Sequence, residues 1–469
     1  MLDRSFDMIR RLILTAVIAS AFGFACGWVC AVKCFGHTPA SELAVAYQDL
    51  EANVAIQLRP FTRYISQHNL PREQWIENEQ VINGVLNTVS RASRMAWVSQ
   101  VPGTDGRLLR LNLAALGIPG DAWESMLPQE PYFHITTKAL VRGKVKTLTV
   151  DAGHVGLVNA RAMYARSGSQ LGVVRLDWLA AKAMVAPAYY TLAGIPDTLD
   201  GYYKSLGMDE KTIVRLKANV GDNILKSGVT LKVRRVSSKP TPLGRLYSTY
   251  DTFGDDARKD FVRDPSHKTP FDAGEFIATR PNRMLGYFLS DGSGKRQDVV
   301  PDRIAKDHSD LNGSGQLLVG KSCISCHSGD GGLRPIAHDQ SDLLKGGADI
   351  LTPDPEEAEA LAAFYLDTKK FNKTMVRDLE DYADALKEAT RGMTPKSFAA
   401  GLMRLYDGYE NEQIDQAKAK AEFGVDDLAP LRASHDGILV ALERGKKVNR
   451  NQFTPSFPEG ALILQGTKK

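Results

Sequence analysis

An α+β fold is predicted for this 469-residue chain, with a mixed helix and strand region to about residue 310 and a mainly α-helical region over 311–469. Three observations predict it. Short runs that alternate apolar and polar residues recur before residue 300, beside longer runs at helical spacing. From Pro353 onward only the helical spacing recurs. Asn312-Gly313-Ser314-Gly315 breaks the chain between the two regions. The length exceeds one ordinary domain, and 43% hydrophobic with 24% charged residues is the composition of a chain that buries a core.

The N-terminal segment stands apart. Met8-Ile9-Arg10-Arg11 precedes an almost wholly apolar run from Leu12 to Val32, closed by Lys33. This run is longer than a signal-peptide core of about 7–15 residues and close to the roughly 20 that span a bilayer. Residues 1–36 are therefore expected to be a signal peptide or an N-terminal membrane anchor. Arg4, Arg10 and Arg11 would hold the N-terminus in the cytoplasm and put the rest across the inner membrane, in the periplasm or otherwise outside the cytoplasm. A lipoprotein modified at Cys26 is a third reading, though Gly23-Phe24-Ala25 lacks the expected Leu.

In the mixed region, Glu42 to Ile65 and Arg72 to Arg91 carry apolar residues at helical spacing, the second opening on Pro71-Arg72-Glu73 as helices do. Alternation predicts a strand over 107–113, and Lys138 to Val150 repeats it across an Arg-Gly turn. Gln170 to Val174 reads as a strand feeding a helix over 175–181, which Pro187 ends or kinks. Gly228 to Ser237 and Pro242 to Phe253 read as extended. A hairpin is expected between Glu275 and Val300, with Gly286-Tyr287-Phe288-Leu289 turning through Ser290-Asp291-Gly292-Ser293-Gly294 and returning through Arg296 to Val300. Helices follow at about 356–368, 375–389, 396–409, 412–423 and 426–444.

Between the two regions lies Lys321-Ser322-Cys323-Ile324-Ser325-Cys326-His327-Ser328. Cys-x-x-Cys-His is the attachment signature of a c-type haem: two thiols add across the porphyrin vinyl groups and the adjacent imidazole coordinates the iron. Cys323 and Cys326 are the expected attachment residues and His327 the iron ligand, for one covalent haem c per chain and a cytochrome c-like character in the helical region. A zinc site or a bare Cys-x-x-Cys redox pair uses the same residue types. Cys26, Cys30 and Cys34 fall in or beside the apolar N-terminal stretch, so the body has no second cysteine pair to complete a zinc site. A thioredoxin-like pair would sit in a compact βαβ pattern and does not need the histidine. Haem attachment happens outside the cytoplasm, in agreement with the N-terminal signal.

The second axial ligand is open among His338, Met375, Met393 and an unligated site. Buried methionines mostly fill cores. Gly331-Gly332-Leu333-Arg334-Pro335 could supply a carbonyl to the imidazole Nδ1, or be a surface loop, and Arg334 could meet a haem propionate or water. Net charge is only +4. The basic clusters Lys232-Val233-Arg234-Arg235 and Arg444-Gly445-Lys446-Lys447 lack a nucleic-acid-binding context and read as solvated faces, or as surfaces that steer an acidic redox partner.

Several segments resemble a family of large exported bacterial proteins that carry one cytochrome c motif. They are Val173-Val174-Arg175-Leu176-Asp177-Trp178, Tyr250-Asp251-Thr252-Phe253, Asp272-Ala273-Gly274-Glu275, Pro281-Asn282-Arg283-Met284-Leu285-Gly286-Tyr287, and Gly320 to His327. They span roughly the middle third of the chain. Where the family has Pro-Pro-Leu-Tyr-His this chain has Ala186-Pro187-Ala188-Tyr189-Tyr190, so no role of that histidine carries over. Ala273 and Arg283 stand at glycine positions of the family, and Met284 at a leucine position, which argues for packing. Asp177 and Glu275 match charged positions that either a salt bridge or catalysis would explain.

The function expected is single-electron transfer in the periplasm, with redox proteins there as partners, no nucleic acid, and anchoring to the inner membrane through the N-terminal segment as an option. The alternative is a haem-dependent oxidoreductase, or a haem-based sensor or scaffold whose N-terminal region binds a substrate or partner. A di-haem peroxidase would need a second attachment motif, and a flavin or nicotinamide enzyme a glycine-rich strand-turn-helix; the sequence has neither.

Overall fold

A computed structural model of the chain describes residues 39–132, 136–141, 144–149, 155–208, 221–226, 233–251, 271–299, 316–328, 333 and 354–465. The apolar N-terminal run, the Asn312–Gly315 break, His338 and all of the 331–335 loop except Leu333 lie outside these residues. No helix among the described residues is long and apolar enough to cross a membrane.

The fold is α+β. Helix α1 (Pro39–Asn53) stops well short of the expected Ile65. Pro60 offers no N–H to a continuing helix; a 3-10 turn over Ile56–Phe61 intervenes, and Thr62–Ser66 is strand β1, buried at every residue. A strand covered on both faces has no period of two to read, which is why the apolar spacing looked helical. In a four-stranded sheet of order β2-β3-β1-β6, β1 pairs antiparallel with β3 (Leu108–Asn112) and parallel with β6 (Val173–Arg175); β2 (Ser99–Gln100) is an edge. Between them come α2 (Trp75–Val89), α3 (Gly120–Glu124), the hairpin β4 (Thr136–Val141) and β5 (Lys144–Thr149), and α4 (Val155–Ser167). As the sequence predicts, β6 feeds directly into α5 (Leu176–Ala183). The chain turns at Pro187 into α6 (Ala188–Ala193) and then α7 (Leu199–Ser205).

The second sheet is a five-stranded antiparallel meander, β7 (Gly221–Lys226), β8 (Val233–Thr241), β9 (Gly244–Asp251), β10 (Ala273–Thr279) and β11 (Leu285–Asp291), each strand beside the next. Its register aligns Val236, Thr249, Glu275 and Leu289 across four strands. Side chains alternate along a strand, so Arg234, Tyr247, Asp251 and Tyr287 share that face. The opposite face carries Phe276 and Phe288, on which α7 lays Tyr203 and Tyr202, the latter stacked at 4.6 Å.

The expected hairpin is displaced by one turn. The main connection is Arg280–Met284, where the Met284 N–H donates to the Asn282 carbonyl side chain and Arg283 adopts φ +67. The expected turn over 290–296 forms as a short extension, with the Ser290–Arg296 bridge, the Asp291 N–H donating to the Lys295 carbonyl and the Gln297 N–H to the Leu289 carbonyl, before the chain departs to pair Val299 with Leu318. Arg283 takes a backbone conformation that glycine favours.

Helix α8 (Lys321–Ser328) carries the Cys-x-x-Cys-His motif. Next come α9 (Pro355–Phe364), α10 (Thr368–Ala389), α11 (Pro395–Glu410), α12 (Gln416–Phe423), α13 (Gly437–Glu443) and α14 (Arg450–Gln465). Asp354, Asp367, Thr394, Asp415 and Asp436 cap the first five, each side chain accepting from backbone N–H groups of the first turn. The helix expected over 412–423 begins late because Gln413–Ile414 (β12) pairs with Val448–Asn449 (β13). That expected over 426–444 divides into a 3-10 turn, Ala429–Ala433, and α13. The sequence reading missed α14, which has Pro455 and Pro458 inside it. Helix α11 packs on α2, α5 and α8, so the helices after the motif close onto elements before it. One buried apolar cluster extends from Leu43 to Phe457.

Candidate functional site

Helix α8 is seated by its first residues. The Leu318 N–H donates to Ser322 Oγ at 3.1 Å, and the Ser322 N–H returns to the Leu318 carbonyl at 2.9 Å. Gly320, φ +85, bridges Val185, and a Cβ there would lie 2.4 Å from the Met184 carbonyl oxygen. Backbone cannot yield as a side-chain tip does. Gly320→Ala is therefore expected to cost about 2 kcal/mol or more in a denaturant titration, combining left-handed strain with the clash. The ammonium of Lys321 lies 4.7 Å from the Tyr406 ring on α11.

Cys323, Cys326 and His327 stand at i, i+3 and i+4, one face of this helix. Neither thiol is in a disulfide; Cys323 is buried and Cys326 partly so. Burial and the charge of Glu275 push the Cys323 thiol well up from its ordinary range. A disulfide-exchanging pair needs the opposite shift, toward thiolate, so this environment argues against the redox-pair reading.

The His327 ring lies against Tyr287, with centroids 6.5 Å apart and planes at 27°. Its Nε2 faces Glu275 Oε1 at 3.8 Å, and its Nδ1 is buried with no hydrogen-bond partner among the described residues. Glu275 Oε2 accepts from both terminal nitrogens of Arg234 at 3.3 Å. Arg234 also donates to Asp251 at 2.6 Å and to Thr249 at 2.8 Å. Burial alone would raise the Glu275 carboxyl, but His327 and Arg234 hold it down at about 2. Arg234 and Arg235 were read as a solvated basic face; both are buried, Arg234 in this cluster and Arg235 over the Phe364 ring. Strand alternation drove one into each face of the sheet, and burial followed from cover that local sequence does not announce.

Around the motif stand Tyr189, Tyr190 and Tyr287. The Tyr287 N–H donates to Tyr189 Oη at 2.8 Å, the Leu289 N–H to Tyr190 Oη at 3.1 Å, and Tyr190 donates to the Gln297 carbonyl at 2.9 Å. Tyr190 thus closes the free edge of β11. Asp177 belongs elsewhere: it pairs with Arg175 at 2.7 Å and accepts from Asn69 at 2.8 Å, a buried structural bridge.

Of the axial candidates, Met375 is on the α10 face that covers the sheet. Phe371, one turn before it, lies 6.4 Å from the Tyr247 ring, and Asp378 accepts from Tyr247 Oη at 2.5 Å. Burial, with Tyr382 beside it, pushes the Tyr287 hydroxyl well up. Met375 is buried and shares a helix face with Phe371 and Asp378, both of which meet Tyr247 on the sheet face that carries Glu275 and Tyr287. Met393 fills the α2–α11 packing, 3.7 Å from where a Gly401 Cβ would be and beside Val81.

Two thiols outside any disulfide, one helical turn apart and followed by an imidazole, are the donor set that haem c attachment and ligation use. Among the described residues no group of three or more His, Cys, Asp or Glu side chains could hold a metal ion by itself. No protein-family model, curated protein or solved structure matches the chain.

Proposed function

We propose that the chain is an exported monohaem c-type cytochrome that passes single electrons to and from periplasmic redox proteins. The observation that carries this reading is the alignment of Cys323, Cys326 and His327 on one helical turn with both thiols outside any disulfide. When bound, the haem iron supplies a one-electron couple. Cys323 and Cys326 would hold it as thioethers and His327 would ligate it. Tyr287 and Tyr189, buried beside α8, keep water from one side of the imidazole. Arg234, Asp251 and Glu275 give this region fixed charges of both signs.

Met375 would be the second residue to hold the iron, because its helix covers the sheet face whose Tyr287 and Glu275 meet His327. Expressed with its own N-terminal segment and a haem-attachment system, the chain is expected to show a low-spin, six-coordinate spectrum and a reversible one-electron couple. Met375→Ala is expected to give a five-coordinate, high-spin spectrum, and Met393→Ala to leave the spectrum unchanged. A wild-type chain that is already high-spin, turns over peroxide and exchanges no electrons with a small cytochrome would overturn the electron-transfer reading in favour of an oxidoreductase.

A further inference from the structure

We propose that the turn Ile56–Phe61, with the outer face of α4 beside it, is a lipid-contacting surface that lays the folded body on the bilayer its N-terminal segment enters. The inference rests on the export reading proposed above, with that segment kept as an anchor, and not on the haem. It starts from a turn that contributes nothing to the core. None of its six residues is buried, and Ile56, Leu58 and Phe61 are all exposed, Ile56 over 70% of its surface. A lone exposed apolar residue is ordinary, but three large ones within one turn form a patch.

The turn is held in this form from both flanks. Arg59 donates to the Val54 carbonyl at 3.2 Å, to the Glu51 carbonyl at 3.0 Å and to the Glu51 carboxylate at 2.9 Å. The Thr62 hydroxyl donates to the Leu58 carbonyl at 2.9 Å, and Arg63 to the Pro60 carbonyl at 2.9 Å. The apolar side chains are therefore fixed outward. Glu51 also pairs with Arg166 at 2.6 Å, which ties the turn, α1 and α4 into one surface. Both residues are near the C-terminal ends of their helices, so α1 and α4 lie side by side with those ends together. The outer arc of α4 shows Val158, Arg161, Tyr164 and Ala165, all exposed. Among the described side chains of α1 the exposed ones are Gln48, Ala52 and Asn53, all uncharged. Glu51, the one carboxylate among these residues, is paired twice. Apolar side chains flanked by arginines suit a bilayer interface, where the former enter the acyl boundary and the latter meet lipid phosphates.

Position decides the occupant. The apolar run ends at Val32, and only six residues, at most about 20 Å of chain, separate it from α1. With its 15 residues α1 is about 22 Å long. The turn thus lies within about 40 Å of the point where an anchored chain leaves the bilayer, and α1 laid flat brings it to the surface. So short a tether makes the contact effectively intramolecular, and a small patch is enough to engage.

The test uses the full chain with its own N-terminal segment and a protease site inserted after His37, reconstituted into vesicles of phosphatidylethanolamine and phosphatidylglycerol. After cleavage the body is expected to sediment with the vesicles. Ile56→Ser, Leu58→Ser and Phe61→Ser together are expected to lower its bound-to-free ratio about tenfold or more, with the melting temperature close to wild type. Arg161→Glu, on a different element, is expected to lower the ratio too, and decides the matter if the triple variant does not fold. A wild-type body released as fully as these variants overturns the proposal. So does a body that stays on native membranes but leaves the lipid vesicles, which makes a protein the partner. An exported chain shown by mass to have lost residues 1–36 sinks the anchor alone. That mature chain is then mixed with the same vesicles, where equal sedimentation of wild type and triple variant overturns the lipid surface as well.

Discussion

The Cys323→Ser, Cys326→Ser double variant is expected to retain no haem that survives denaturation, while the wild-type chain, exported in the same cells, carries one. The difference is all or none because only a thioether resists unfolding; an imidazole–iron bond alone does not. Each single serine variant is expected to hold haem through its remaining thioether, with the ferrous absorption band shifted by the vinyl group left unreacted. Rival uses of the motif give other outcomes. A disulfide-exchanging pair would leave the wild type free of haem and able to reduce a test disulfide. Zinc bound to the wild-type chain and lost from the double variant would point to a structural metal. Serine at position 323 buries a hydroxyl, at a cost of about 1–3 kcal/mol if it finds no partner. Far-ultraviolet circular dichroism of the variant therefore has to match the wild type for haem loss to count.

Much of this site was legible because it is local. A thiol, a thiol and an imidazole at fixed spacing state their chemistry wherever the chain puts them, and α8 places them on one helical face. The carboxylate facing His327 was not legible in that way. Glu275 precedes His327 by a long stretch, and only the pairing of β10 with β9 and β11 brings it to the motif, beside an arginine from a third strand. Arg234 sits in a basic run whose composition suggests solvent, yet both its arginines are buried. The fold divides along the same line. Helix α11, with an apolar stripe and a hydroxyl cap, was expected nearly end to end, and α10 from Met375 onward but not over its first turns from Thr368, which follow the Asp367 cap. Strand β1 was lost because it is covered on both faces, and α14 because proline is read as a break. At Pro455 and Pro458 the helix persists because α14 is embedded among α12, α13 and β12, and tertiary burial outweighs a missing backbone bond.

Glu422→Ala is expected to destabilise the chain by about 3–5 kcal/mol, a large share of the roughly 5–15 kcal/mol that holds a folded protein together. Glu422 bridges two buried guanidiniums, Arg175 at 2.9 Å and Arg450 at 2.6 Å and 2.7 Å. Those arginines sandwich aromatic rings, Arg175 over Tyr132 at 4.5 Å and Arg450 over Tyr409 at 5.3 Å, and Arg450 also donates to Glu412. Removing Glu422 takes away the carboxylate that bridges both guanidiniums and leaves their N–H groups toward it buried and unmet, with Asp177 on Arg175 and Glu412 on Arg450 as the remaining carboxylates among the described residues. The exposed pair Lys204–Asp200 is the control, since breaking it is expected to leave the urea midpoint nearly in place. Acid should act as the substitution does. Burial alone would raise the Glu422 and Asp177 carboxyls, but Arg175 and Arg450 hold both below their usual range. A depressed carboxyl contributes its full stabilisation above the ordinary carboxylate range and loses it as pH falls through and below that range. Urea midpoints measured down that interval should converge for wild type and Glu422→Ala. The network also reaches the motif. Arg175 heads α5, an eight-residue helix whose far end presents the Met184 carbonyl to Gly320. Loss of Glu422 frees that helix only by unfolding, so molecules of Glu422→Ala that remain folded should keep the wild-type midpoint potential.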